Sequence, residues 1–335
     1  MSLATKYLGL DLQNPLVASP SPLHDKLDNI RRLEDAGAAA IVLPSLFQEQ
    51  IEAEAEARLS LVEAYVESSP EARSYFHASV AGPYGVRPDR YLDLIRRARE
   101  AVAIPIIASL NGSSHAGWID HARLIEEAGA TAIELNIYHV PADLFESGRE
   151  VETRYIDIVR AVYHSVALPV AVKLTPYVSS PGDLAITLVE QGASGLVLFN
   201  RLLEPDIDLL QMRLIDTLRL SDPGEMRLPL LWIAILSGRT RASLAASGGV
   251  SVVEDVVKYL LAGADVVMTT SALLRHDIEY MATLVDGLRR WLDEREIESL
   301  DAMRGMMSWR QSIDRNVYTR ANYLRILQGY HHPPP

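Results

Sequence analysis

The sequence contains no cysteine among its 335 residues. That excludes disulfides, thiolate metal sites, thiol nucleophiles and an iron–sulfur cluster held by this chain's own thiolates. No stretch reaches the roughly 18 uninterrupted apolar residues of a membrane-spanning helix. The opening MSLATKYLGL lacks the basic start and long apolar run of a signal peptide, so the expectation is a cytoplasmic protein. Basic residues are outnumbered: 32 Lys and Arg face 44 Asp and Glu, a formal net charge of −12. That balance argues against nucleic acid or an anionic membrane as a main partner, and an anionic ligand would need local donors. Zincin and EF-hand spacings are missing, and no metal is expected. Nor does a G-x-G-x-x-G follow the first apolar strand, which counts against an open dinucleotide-binding sheet.

What is present is ordinary globular composition, 48% hydrophobic and 23% charged, in a chain long enough for a sizeable core. Helix ends recur as Gly-Ala followed by an apolar strand, at Gly37-Ala38, Gly129-Ala130, Gly192-Ala193 and Gly263-Ala264. A variant enters the strand through proline, in VAIPIIASL (102–110) and VALPVAVKL (166–174), which is acceptable at a strand's first residue. Eight strands are expected near 16–19, 39–43, 105–109, 132–136, 169–174, 195–199, 243–247 and 265–269. Helical patterns over 25–36, 88–103, 117–128, 150–166 and 182–191 separate most of them. Continuous apolar strands alternating with helices imply parallel strands covered on both faces. The prediction is α/β, a (β/α)8 TIM barrel forming a single domain over 1–330. Insertions near 44–88 and 201–242 belong over the C-terminal mouth. The first carries an expected helix, Gln48 to Glu67, then SYFHASVAGPYG; the second ends in LPLLWIAILSGRTR. An amphipathic helical tail covers 277–325, with Ile278, Met281, Val285, Leu288 and Leu292 on one face, and the final HHPPP frays.

The stretch 243–273 organises the rest. Gly248-Gly249 follows one strand, Ser251 with Glu254 reads as a capping box, and Thr269-Thr270-Ser271 closes the next strand. In a parallel barrel the tips of the last two strands are where phosphate binds. A Gly-Gly that merely turns the chain is the plain alternative. The eight tips in order are Ser19, Ser45, Asn111, Asn136, Lys173, Asn200, Gly248-Gly249 and Thr270-Ser271. Asparagines offer donor and acceptor together and suit a planar, amide-bearing ligand. A lysine inside an apolar strand end needs an anionic partner. That partner is either Glu134 or another carboxylate, in a structural ion pair, or an electron-rich ring or phosphate.

On NPLVAS, IELN, VKLTPY, the Asn of LFN, and SGGV…LLAGADVVMTTSAL, the sequence resembles the dihydroorotate dehydrogenases, FMN-dependent (β/α)8 enzymes of pyrimidine synthesis, from about Tyr7 to Leu274. The resemblance implies an FMN phosphate held by Gly248, Gly249, Thr270 and Ser271, and a flavin lined by Ala18, Ser19 and Ser45. It implies that Asn111 and Asn136 touch flavin or substrate, that Lys173 steadies negative charge on the reduced ring, and that Asn200 binds a pyrimidine-like substrate. Where the family carries a catalytic-base cysteine or serine, this chain reads NIYHVPAD, so His139 falls at that position beside Tyr138. The expected pyrimidine-binding asparagine is Pro141, and the lysine that ends the second strand in one class is Pro44. WIAILSGRTR replaces the usual glycine-rich stretch and full helix before the seventh strand.

His139 suits a neutral-pH base, because imidazole titrates near pH ~6.5. Tyr138, a phenol with a pKa of about 10, would need activation. The plain alternative for His139 is a loop histidine against solvent or a carboxylate such as Asp143. His24 and His115 read as rim residues. Two other function classes compete with the oxidoreductase. One is a lyase or aldolase on a phosphorylated substrate, with Lys173 forming a Schiff base. The other is a non-catalytic flavin-binding homologue. A homodimer and an electron-transfer partner protein are compatible with the barrel, and the electron acceptor is left open.

Overall fold

The computed structural model describes residues 2–47, 88–112, 115–202, 205–215, 218–319 and 321–329. The helix expected over 48–67, the SYFHASVAGPYG stretch and the terminal HHPPP lie outside the described residues. The chain starts with a hairpin, β1 (Thr5–Tyr7) and β2 (Leu10–Leu12). Eight parallel strands then close into a barrel. They are β3 (Leu16–Ala18), β4 (Ala40–Phe47), β5 (Ile106–Asn111), β6 (Ala132–Asn136), β7 (Val170–Leu174), β8 (Gly195–Leu198), β11 (Ser243–Ser247) and β12 (Val266–Thr269). Each pairs with the barrel strand that follows it in the chain, and β12 returns to β3, which is the (β/α)8 topology. All eight expected strands are present. β4 alone overruns its expected end by several residues, with an irregular register between Val42 and Ser45 that accommodates Pro44.

The helix-to-strand junctions form as their residues dictate. Gly37, Gly129, Gly192 and Gly263 have φ of +93°, +88°, +111° and +115°, the left-handed conformation that ends a helix and that a side chain would strain. At the proline junctions the missing N–H costs nothing. Pro105 and Pro169 present carbonyls that accept from Ile41 and Ile133 of the neighbouring strands, each at 3.0 Å. Alternate strand residues build two cores. Leu16, Ala18, Ile41, Leu135 and Val172 face the helix layer, whereas Val17, Val42, Ile107, Ala171 and Val197 fill the barrel interior.

The opening hairpin plugs the barrel floor. Its tight turn has both central residues at positive φ, Leu8 at +55° and Gly9 at +79°, and it drives Tyr7 and Leu8 into the interior. Gly195 makes the room: a Cβ there would lie 2.4 Å from Leu8 Cδ2. The plug is tied down by Leu8 N–H donating to Ser243 Oγ at 3.1 Å and by Thr5 Oγ1 donating to the Asp265 carbonyl at 2.9 Å.

Several local expectations change. Helix Val253–Ala262 is not capped by a Ser251–Glu254 box; Asp255 accepts from the backbone N–H groups of Ser251 and Val252, each at 3.1 Å. Its carboxylate sits one residue further on and reaches both donors at once. The insertion after β8 holds a hairpin, β9 (Asp206–Asp208) and β10 (Arg213–Ile215), and then helix Arg227–Leu236, so WIAILSGRTR contributes to a helix rather than replacing one. The tail is broken: Tyr280–Asp293 presents the expected apolar face, but the chain then turns through Leu300–Met303 and Arg315–Tyr318 before helix Ala321–Gly329. No helix of the described residues is long and apolar enough to cross a membrane.

Candidate active site

Two adjoining cavities open at the C-terminal ends of the barrel strands. One, of about 240 Å³, is lined by Ser19, Lys173, Asn200, Gly248, Gly249, Thr270 and Ser271 among others. The second, of about 840 Å³, shares Asn200, Ser247 and Gly248 with it and extends under the insertion to Asp206 and Leu228. Seven sequence-predicted site residues from five strand ends therefore meet on one cavity. Ala18 does not present its side chain there; it faces the helix layer and is fully buried, leaving only backbone for a ligand.

The end of the cavity at β11 and β12 gathers small polar groups. Gly249 and Ser271 converge on one atom, the Ser221 hydroxyl oxygen: Gly249 N–H donates to it at 3.2 Å, and the Ser271 hydroxyl lies 2.9 Å away. Ser221 comes from the insertion, and its carbonyl accepts from Arg275 Nη2 at 2.7 Å. Gly249 has φ +73°, and a Cβ there would meet Met226 Cγ at 2.5 Å and the Asp222 carbonyl at 2.8 Å. Gly248, at φ +100°, has open space on its Cβ side. A backbone N–H, two hydroxyls and a glycine-thinned wall at the last two strand tips fit a phosphate ester. Thr270 lines the cavity, but its hydroxyl donates to the Ser19 carbonyl at 2.7 Å, so its own contribution to an anion is backbone.

Lys173 stands between this pocket and the barrel interior. Its side chain is 11% exposed, and Nζ lies 3.8 Å from Oε1 of the fully buried Glu134. Burial raises the Glu134 carboxyl above the usual carboxylate range, and the Lys173 charge opposes that only in part. The predicted Glu134 contact is therefore real, but it is too long for a hydrogen bond.

A chain of side-chain hydrogen bonds crosses the mouth. Asn200 Nδ2 donates to Asn136 Oδ1 at 2.5 Å, Asn136 Nδ2 donates to Ser45 Oγ at 3.0 Å, and Ser45 Oγ meets Ser109 Oγ at 2.8 Å. The irregular register of β4 brings Ser45 opposite Ser109. Each amide keeps capacity to spare: Asn200 has its carbonyl oxygen and a second N–H, and Asn136 a second N–H. Asn111 ends β5 and is buried.

Tyr138 and His139 lie apart, in the loop after β6, and line neither cavity. The carboxylate beside His139 is Glu146 rather than Asp143, with Nε2 2.9 Å from Glu146 Oε2. Arg154 Nη1 is 2.6 Å from the same nitrogen, and its Nη2 is 2.5 Å from Glu146 Oε1. The His139 hydrogen bond, followed by the Arg154 charge, holds Glu146 below the usual carboxylate range. One ring nitrogen serves only one partner at a time. If it donates to Glu146, Nδ1 keeps its lone pair, as a general base requires; if it accepts from Arg154, Nδ1 carries the proton. His24 is not a rim residue. It is fully buried, its Nδ1 is 2.9 Å from the Val42 carbonyl, and burial lowers its pKa to about 4, so it is neutral. His115 begins helix His115–Glu127.

Sequence reasoning missed Ser221, Arg275, Glu146 and Arg154. Ser221 and Arg275 lie 54 positions apart, and no local spacing marks such a pair. Glu146 and Arg154 offered a signal, an acid and a base within 15 residues of His139.

Comparison with known proteins agrees with this geometry. The family model described as dihydroorotate dehydrogenase matches residues 87–292, more than half of the chain. A putative dihydroorotate dehydrogenase A (fumarate) from Aeropyrum pernix is 32% identical over 206 residues, 59% of this chain and 66% of that protein. The catalytic subunit of dihydroorotate dehydrogenase B (NAD(+)) from Thermoplasma acidophilum is 25% identical over 309 residues, 91% of this chain and 98% of that protein. The NAD-dependent dihydropyrimidine dehydrogenase subunit PreA from Escherichia coli is 27% identical over 256 residues, 69% of this chain and 61% of that protein. The barrel, its polar mouth and these matches converge: the chain belongs to the dihydroorotate dehydrogenase family, oxidoreductases that act on CH–CH bonds.

Proposed function

We propose that this chain uses FMN to oxidise dihydroorotate, or a related cyclic amide. The observation that carries this reading is the convergence of a buried lysine and an anion pocket on one cavity beside the asparagine chain. The donor set fits the cofactor. Gly249 N–H, Ser221 and Ser271 would hold the phosphate, Lys173 would face the ring, and Ser19 would border it, with Ser45 held behind in the Asn136–Ser109 hydrogen-bond chain. FMN, when bound, supplies a ring that accepts hydride.

The protein's own groups do the rest. Asn200 and Asn136 orient the cyclic amide through their spare donors and acceptor, fixed in place by Ser45 and Ser109. Lys173 offers positive charge from a poorly hydrated position, where it acts more strongly than in water. His139, although it lines neither cavity, is the candidate base: with Nε2–H donated to Glu146, Nδ1 would be free to take the substrate proton, and Glu146 is held in turn by Arg154. The loop carrying them is anchored by Tyr155, whose hydroxyl donates to the Ile137 carbonyl at 2.7 Å. Tyr138 is the second candidate base. Electrons pass on to a partner polypeptide; the relatives named as subunits support this, and with no cysteine the chain has no thiolates for a cluster of its own.

The deciding experiment is the visible spectrum of the purified protein, followed by anaerobic addition of dihydroorotate. A flavin band that bleaches is expected. A preparation that stays colourless in excess FMN would remove the reading, and a yellow protein that ignores dihydroorotate would remove the substrate. Within the reading, His139→Ala is expected to lower the rate of bleaching by about 10²–10⁴-fold while FMN affinity changes little. Undiminished bleaching would place the base elsewhere.

A further inference from the structure

We propose that Glu134 keeps its proton at physiological pH and is the positioning residue that leaves the Lys173 ammonium uncompensated on the cavity side. Glu134 points into the barrel from β6, between Ser109 of β5 and Ala171 of β7 in register, and is fully buried. Neither carboxyl oxygen has a hydrogen-bond partner among the described residues. The titratable groups whose fields involve it are Lys173 from β7, Tyr7 from the floor plug and Tyr91 from helix Pro88–Ala101. Burial raises both phenols, so both are neutral, and the Tyr7 hydroxyl is likewise without a partner.

The two members of the Lys173–Glu134 pair are not equivalent. Lys173 lines the cavity and keeps some exposure, so its charge has water or a ligand to turn to. Glu134 has neither, and an ionised carboxylate there would give up all its hydration without one hydrogen bond in return. A cation at 3.8 Å does not replace those bonds. The proton therefore stays on Glu134. The direction in which burial moves the carboxyl agrees. The floor of the cavity then carries one net positive charge, available to an anionic ring or ester.

The sign of the pH dependence follows. A carboxyl that binds its proton more tightly folded than unfolded costs stability as pH rises from its ordinary value of 4.5 toward its folded value. Glu134→Gln keeps the shape and cannot ionise. Over that window the ratio of unfolding constants, wild type to E134Q, is expected to rise about tenfold per pH unit. Denaturant unfolding of the full chain from mildly acidic to neutral pH reads it. Glu134→Met is a second variant with the same expected slope, because a neutral carboxyl is replaceable by an apolar side chain. A ratio that is flat, or that falls with pH as for a salt-bridged carboxylate, overturns the proposal.

A second arm rests on the reading of the mouth as a flavin site. FMN affinity of the wild type is expected to fall at alkaline pH, where Glu134 ionises and neutralises Lys173, while that of E134Q does not. Tighter FMN binding by E134Q at neutral pH would show a charged Glu134 and overturn the proposal. A chain that binds no FMN at all overturns the functional reading instead, and the unfolding arm still decides Glu134.

Discussion

Lys173→Met is expected to slow reduction of the bound flavin by dihydroorotate by about 10²–10³-fold, the usual loss when one preorganised charge is removed from a catalytic site. The side chain stands at the end of β7 on the cavity wall, with little water to dilute its charge. Methionine keeps the stem and loses the ammonium, so the change isolates electrostatics from packing. The same variant reports on the group beneath. If Glu134 were ionised, removing its cation would strand a buried carboxylate at a cost of about 3–5 kcal/mol. With Glu134 neutral, the expected change in stability is well under that. Anaerobic stopped-flow absorbance gives the rate and urea unfolding gives the stability. Undiminished bleaching would take Lys173 out of the mechanism.

The second large effect belongs to a backbone position. Gly249→Ala is expected to destabilise the fold by about 2–4 kcal/mol and to abolish FMN retention. Two costs add. A left-handed backbone penalises any Cβ by about 1–2 kcal/mol. The new methyl would also press on Met226 Cγ at 2.5 Å and on the Asp222 carbonyl at 2.8 Å, both fixed by the short turn Pro223–Met226. Relief requires the insertion to back away, which draws Ser221 off the Gly249 N–H and the Ser271 hydroxyl. Gly248→Ala is the control. It has the same handedness but open space around the added carbon, so its stability loss is the backbone part alone. Equal losses at the two positions would show that the contact with the insertion is unimportant. Urea unfolding and FMN titration of both variants separate the cases.

The fold was legible in the sequence because its punctuation is local. A glycine at a helix end or a proline at a strand start acts on its own backbone, and the four Gly-Ala junctions adopt the conformation that their residue types demand. Strand ends follow from that, and with them Lys173, Asn136, Asn200, Gly248 and Ser271. What escaped are contacts set by tertiary approach. Ser221 meets Ser271 across 50 positions, through an insertion whose path no periodicity foretells. The capping of helix Val253–Ala262 moved from Glu254 to Asp255 because a single residue of phase decides which carboxylate faces the free N–H groups. His24 reads in sequence as one more polar residue past a strand, and only the packing around it shows a neutral, buried ring. For His139 the residue type was informative, but its tautomer depends on Glu146 and Arg154, which the loop brings together in space.

The plug beneath the barrel couples distant stretches of the chain in time as well as in space. Leu8 reaches Ser243 across 235 positions, Thr5 reaches Asp265 across 260, and Arg304 Nη2 donates to Thr5 Oγ1 across 299. During synthesis, therefore, the hairpin lacks these partners until Ser243, Asp265 and Arg304 have emerged, and the growing sheet keeps two raw edges until then. Contacts so far apart make folding slow and leave apolar strands open to self-association in the interval. Shortening the N-terminus would deepen that exposure, whereas the chemistry at the opposite rim would feel it only through a floor left unlaid.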